Sequence, residues 1–73
     1  MIEERILNVL RTVLKDDTVD ESCSQRNCEK WDSMSHLDLV VELEMEFGIS
    51  LEPEEIGHMT CFDEIVKIVK SKL

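Results

Sequence analysis

Ser33 is preceded by Asp32 and followed three positions later by His36, so the first chemistry to weigh is a serine nucleophile served by a histidine base. On a helix, His36 falls among the core-facing residues and around from Ser33, which leaves the hydroxyl without a base. Two other roles suit an Asp-Ser pair at a helix start. Asp32 can cap the helix by accepting a free backbone N–H. Ser33 can carry a phosphodiester, because an anion there lies beside unpaired N–H groups at the positive end of the helix dipole. Spacing alone does not choose between a cap and a covalent attachment. The other candidates are weaker. Cys23, Cys28, Cys61, His36 and His58 are residue types that bind zinc, but Cys-x4-Cys is wide for a ligand pair and no second tight pair follows. No metal site is expected. Cys23 and Cys28 read as free loop thiols, and Cys61 and His36 as core or boundary residues. The clustered acids lack the ligand spacing and central glycine of a calcium loop.

The element that positions Ser33 is a helix from Asp32-Ser33 to Phe47-Gly48, with Asp32 as its cap and Gly48 as a left-handed stop. At about 100° per residue, His36, Leu39, Val40, Leu43 and Phe47 share one face, which serves the core. Met34, Leu37, Val41 and Met45 form a second apolar stripe on roughly the opposite face, flanked by Asp38 and Glu42 on one side and Glu44 on the other. Neighbouring helices can cover both stripes. The alternative is an apolar strip with an acidic rim, built to dock on a basic-rimmed groove, where methionine suits a surface that adapts to several partners.

Around this helix the pattern places three more. Ile2, Ile6, Val9, Leu10, Val13 and Leu14 recur at helical spacing and predict a first helix to about Lys15. A polar stretch from Val19 to Lys30 reads as a long loop anchored by Val19 and Trp31, the kind that is often functional or partly mobile. Glu52-Pro53-Glu54-Glu55 opens a short helix closed by Gly57-His58-Met59. Thr60, followed three positions later by Asp63, caps a last helix that runs to about Lys72. It buries Phe62, Ile65, Val66, Ile68 and Val69 and gathers lysines toward its C-terminus. The fold class is all-α, a bundle of three long helices and one short one.

Composition narrows the function. The 73 residues make one domain, 1–73, near the lower limit for a core that folds without staples, and leave little room for a deep catalytic pocket. The net charge of -9 excludes a nucleic-acid binder, which needs Lys and Arg to replace phosphate counterions. It also disfavours anionic membranes and predicts partners with basic patches. From Trp31 through Val66 there is no Lys or Arg, so that stretch should repel itself. The N-terminus has acids where a signal peptide needs a basic region, and no apolar run approaches a membrane span. With three cysteines that cannot all pair within one molecule, the chain reads as a cytosolic monomer.

Trp31-Asp32-Ser33-Met34, followed by Leu39-Val40-Val41-Glu42-Leu43-Glu44-Met45-Glu46-Phe47-Gly48-Ile49, resembles the signature of acyl carrier proteins. In that family Asp-Ser-Leu opens the second helix, and an acidic helix ending in Glu-Glu-Phe follows. The likeness continues through Pro53-Glu54-Glu55-Ile56 and the Thr60–Ile65 region. It implies a non-catalytic protein whose Ser33 receives 4′-phosphopantetheine from coenzyme A, with Asp32 as the adjacent acid. It further implies that Met34, Leu37, Asp38, Val41, Glu42, Glu44 and Met45 lie on the partner-recognition helix, with Glu46 beside them. The implied partners are a phosphopantetheinyl transferase and acyl-loading, acyl-transfer or condensing enzymes of fatty acid, polyketide or related synthesis. Met34 stands where Leu is usual, and Ser35 where carriers of fatty acid synthesis commonly have an acid. Stand-alone carriers of specialised pathways, including aminoacyl and peptidyl carriers, vary more at such positions. A helical interaction domain without a prosthetic group is the alternative from a different class.

Overall fold

A computed structural model describes residues 2–73, which form four helices: α1 (Ile2–Leu14), α2 (Ser33–Phe47), α3 (Pro53–His58) and α4 (Phe62–Lys72). α1 packs against both α2 and α4. Its buried residues Ile6, Leu10 and Leu14 follow the helical repeat read from the sequence, and Leu7 joins them. Just past the end of α1, Lys15 adopts φ 54°, while the Asp16 N–H reaches back to the Arg11 carbonyl at 3.1 Å. A lysine in this left-handed region carries a steric cost that a glycine would avoid.

The core draws on α1, the long loop, α2, the connectors and α4, with α3 adding only the partly buried Ile56. Ile6, Leu10, Leu39, Leu43, Met59, Ile65 and Val69 are fully enclosed, and truncating such a side chain to alanine typically costs about 2–5 kcal/mol. Val19 and Trp31 are buried as expected of loop anchors. On α4, Phe62, Ile65 and Val69 are buried, whereas Val66 and Ile68 are only partly so. Met59 lies in the α3–α4 connector, where no helical repeat marks it as a core residue.

The long loop is fastened. Gln25 N–H donates to the Thr60 carbonyl at 2.9 Å and Phe62 N–H to the Cys23 carbonyl at 3.0 Å, which makes a single antiparallel bridge between Ser24 and Cys61. Arg11 Nε donates to the Val19 carbonyl at 2.9 Å. Contrary to the sequence expectation, Cys23 and Cys28 are joined as a disulfide, and Cys61 alone stays free among the described residues. The turn explains the pairing. Cys28 N–H bonds the Ser24 carbonyl at 2.9 Å, bringing the two Cα atoms to 6.1 Å, within the usual span of a disulfide. Cys23 is also buried, as part of the core. The cysteine count therefore no longer argues for a reducing compartment.

Two caps differ from expectation as well. The residue at the N-cap of α4 is Cys61, with no side-chain capping bond. Thr60 is held outside the helix because its carbonyl serves the loop bridge. The reciprocal cap is on α3 instead, where Glu52 N–H donates to Glu55 Oε1 at 2.8 Å. No helix among the described residues is long and apolar enough to cross a membrane.

Candidate functional site

α2 begins with Asp32 in extended conformation, its carboxylate accepting the Ser35 N–H at 2.9 Å. Hydrogen bonds from Ser35, first from its backbone and then from its side chain, hold the Asp32 carboxyl below the ordinary carboxylate range. Ser35 thus acts as the donor of the capping turn. The same contact qualifies the reading of the helix end, since Asp32 already takes one N–H that an anion on Ser33 would have used. Ser33 is the first helical residue, and its side chain is exposed.

Beside Ser33 lies a groove of about 520 Å³ lined by Gln25, Trp31, Asp32, Ser33, His36 and Leu37. His36 is therefore nearer to Ser33 than the helical-face reading implied, but both of its ring nitrogens are engaged. Nδ1 accepts the Trp31 indole N–H at 3.0 Å, and Nε2 stands 2.8 Å from the Ile56 carbonyl. These partners fix the neutral Nε2–H tautomer, with Nε2 donating. Gln25 Nε2 makes a longer contact with the same Nδ1, at 3.4 Å. His36 thus ties the loop, α2 and α3 together, and no lone pair remains to activate the Ser33 hydroxyl.

Along the outer face of α2 the second apolar stripe is open. Met34 is 77% exposed, Leu37 64%, Val41 52% and Met45 74%, so no neighbouring helix covers it. Exposure of four apolar side chains in a row on a chain this small is unusual and marks a surface for contact. Asp38 and Glu42 are exposed beside it. Glu44 is not on the free rim: it is half-buried, and its Oε2 accepts the Leu51 N–H at 2.9 Å, holding the connector after Gly48. Gly48 takes φ 64°, with its N–H on the Glu44 carbonyl. Glu46 is paired with Arg5 at 2.9 Å, and the Arg5 guanidinium also sits 4.6 Å over the Phe47 ring. Sequence reasoning missed these two anchors because their partners come from distant positions.

No protein-family model and no curated protein matches the sequence. Among solved structures, a solution NMR structure of a holo acyl carrier protein from Geobacter metallireducens superposes with a TM-score of 0.86 and 25% identity, covering 96% of this chain and 83% of that one. The resemblance carried by Asp32-Ser33 and the acidic helix behind it is thus matched across the whole bundle, whose fold is that of an acyl carrier protein.

Proposed function

We propose that this chain carries acyl groups as thioesters on a 4′-phosphopantetheine arm attached to Ser33 and presents them to enzymes that dock on α2. The observation that carries the reading is the placement of Ser33: exposed, first in its helix, and at the head of an uncovered apolar strip. The local residues fit the group. The hydroxyl has open approach, the adjacent groove can receive part of a flexible arm, and Asp32 already caps the helix so that modification need not disturb it. When bound, the arm supplies a thiol whose thioester keeps an acyl carbon activated and at high local concentration. Attachment joins Ser33 Oγ to the phosphate of coenzyme A as its pyrophosphate bond breaks, and the adenosine bisphosphate half leaves. With His36 engaged, the base for that step comes from the transferase. Met34, Leu37, Asp38, Val41, Glu42 and Met45 form the docking face, and Glu44 shapes it from beneath. Acyl cargo of fatty acid or polyketide type is favoured, with aminoacyl or peptidyl cargo as the close variant.

The test is mass spectrometry after incubation with coenzyme A and a broad-specificity phosphopantetheinyl transferase. One phosphopantetheine should be gained on Ser33, and Ser33→Ala should remain folded yet unmodified. Failure of several transferases to modify the wild type would leave the same acidic-apolar face to a plain interaction domain.

A further inference from the structure

The groove beside Ser33 differs in chemistry from the apolar strip. Apart from Asp32 its polar side chains are neutral: Ser33 itself, Gln25 from the loop, and His36 held as a neutral tautomer. No cation lines it, so an anion is disfavoured there. Trp31 and Leu37 supply apolar surface. Gln25 is the adaptable member. Its backbone is fixed by the 2.9 Å bond to Thr60. Its exposed side chain rests only on the 3.4 Å contact to His36 Nδ1, an acceptor already served at 3.0 Å by Trp31. That weaker contact is readily exchanged. The Gln25 amide oxygen has no hydrogen-bond donor among the described residues.

Resting on the proposed attachment at Ser33, we propose that this groove is a seat for the neutral, amide-bearing part of the arm, with Gln25 pairing to one of its secondary amides. Asp32 keeps the phosphodiester at the mouth, and Leu37 and Trp31 cover the apolar carbons between phosphate and amide. Gln25 is a positioning residue that limits where the thiol can swing.

The experiment is NMR of isotope-labelled holo protein made with the transferase, comparing wild type with Gln25→Ala. Nuclear Overhauser contacts should join arm protons to the Gln25 side-chain amide and the Trp31 indole. In Gln25→Ala, hydrogen exchange at the arm amides should speed up roughly 2- to 10-fold, the equivalent of losing one neutral hydrogen bond. Quantitative modification of Ser33 with no contacts to Gln25 or Trp31, or with exchange unchanged in the variant, overturns the seat and leaves the carrier reading standing. Absence of modification at Ser33 overturns both.

Discussion

His36 shows how one side chain sets the geometry around Ser33. It accepts from Trp31 and donates to Ile56, so the end of the loop, the first turn of α2 and the short α3 share a single junction. Trp31→Phe keeps most of the apolar bulk but removes the indole donor. Because Trp31 is buried and Nδ1 would be left with only the long Gln25 contact, the variant should lose about 1 kcal/mol of stability. Chemical denaturation gives the number. Local hydrogen exchange should speed up at Gln25 and Ile56 more than in α1. A uniform change across the bundle would mean that the ring, and not the bond, matters. Residue identities at this end were partly legible in the sequence. Asp32 as cap, Gly48 as stop and Trp31 as anchor follow from local rules. The links from His36 to Ile56, Arg5 to Glu46 and Glu44 to Leu51 do not, because each depends on how the chain returns in space. The disulfide was hidden for a related reason. Three cysteines fix only that at least one stays unpaired, and the turn that brings Cys23 to Cys28 lies in a stretch with no apolar period.

At the scale of elements, α2 is a helix with two apolar faces, and the fold covers only one. On the proposed reading that outer face meets partners, with apolar contact from Leu37 and steering charge from Glu42. No described residue forms an ion pair with Glu42, so Glu42→Lys should leave stability within about 0.5 kcal/mol. It should slow transfer from coenzyme A by the transferase, and the loss should shrink at high salt, because rim charges act mainly through steered encounter. Leu37→Ala should slow docking with little salt dependence. Glu3→Lys is the control: it reverses a charge in the first turn of α1, away from Ser33, and because it also breaks the Lys70 pair its rate is read at a temperature where circular dichroism shows the variant fully folded. An equal loss in Glu3→Lys would tie recognition to net charge and remove α2 from the argument. The loop makes its own prediction. The Cys23–Cys28 bond closes a short loop, and breaking it should lower stability by about 2 kcal/mol. Reduction should therefore depress the melting temperature by roughly 10 °C, given the slope typical of domains of this size. The Ser24–Cys61 bridge should loosen with it. A melting curve unchanged by reductant would show that the backbone bonds alone hold the loop.

At the scale of the whole molecule, charge sets the conditions under which the bundle is stable. The sequence suggests that the acids from Trp31 to Val66 face no compensation, and the fold changes this. Arg5 reaches Glu46, Lys67 reaches Glu64 and Lys72 reaches Glu55, while Lys70 holds Glu3 of α1. Arg5 and Lys72 lie outside the acidic stretch in sequence and fold back onto it, Lys67 pairs along its own helix, and Lys70 turns instead to α1. Asp32, Asp38, Glu42, Glu44, Glu52, Glu54 and Asp63 stay without an ion-pair partner among the described residues, so most of the imbalance in that stretch persists. With a net charge of -9, repulsion outweighs the few exposed pairs, which are individually weak and also screened by salt. Moderate salt at neutral pH should therefore raise the melting temperature. Acid should act in the opposite direction. The Lys70 ammonium holds the Glu3 carboxyl below its ordinary range, the Thr18 hydroxyl holds Asp16 and the Ser22 hydroxyl holds Asp20. Asp32 is lowered chiefly by the Ser35 N–H and Glu55 by Lys72. A carboxyl lowered in the folded state contributes stability that is complete above its unfolded value and is lost as pH falls through the folded one. Protonation also leaves the eight Lys and Arg and both His without counter-charge. The melting temperature should consequently fall as pH drops from about 5 to about 2, in the window where these depressed carboxyls take up protons. The salt and acid series, read by circular dichroism on the same preparation, separate the two terms. A salt-induced decrease at neutral pH would mean that the folded-back ion pairs outweigh the repulsion. A flat acid profile would mean that the caps and pairs at Glu3, Asp16, Asp20, Asp32 and Glu55 do not hold the folded state.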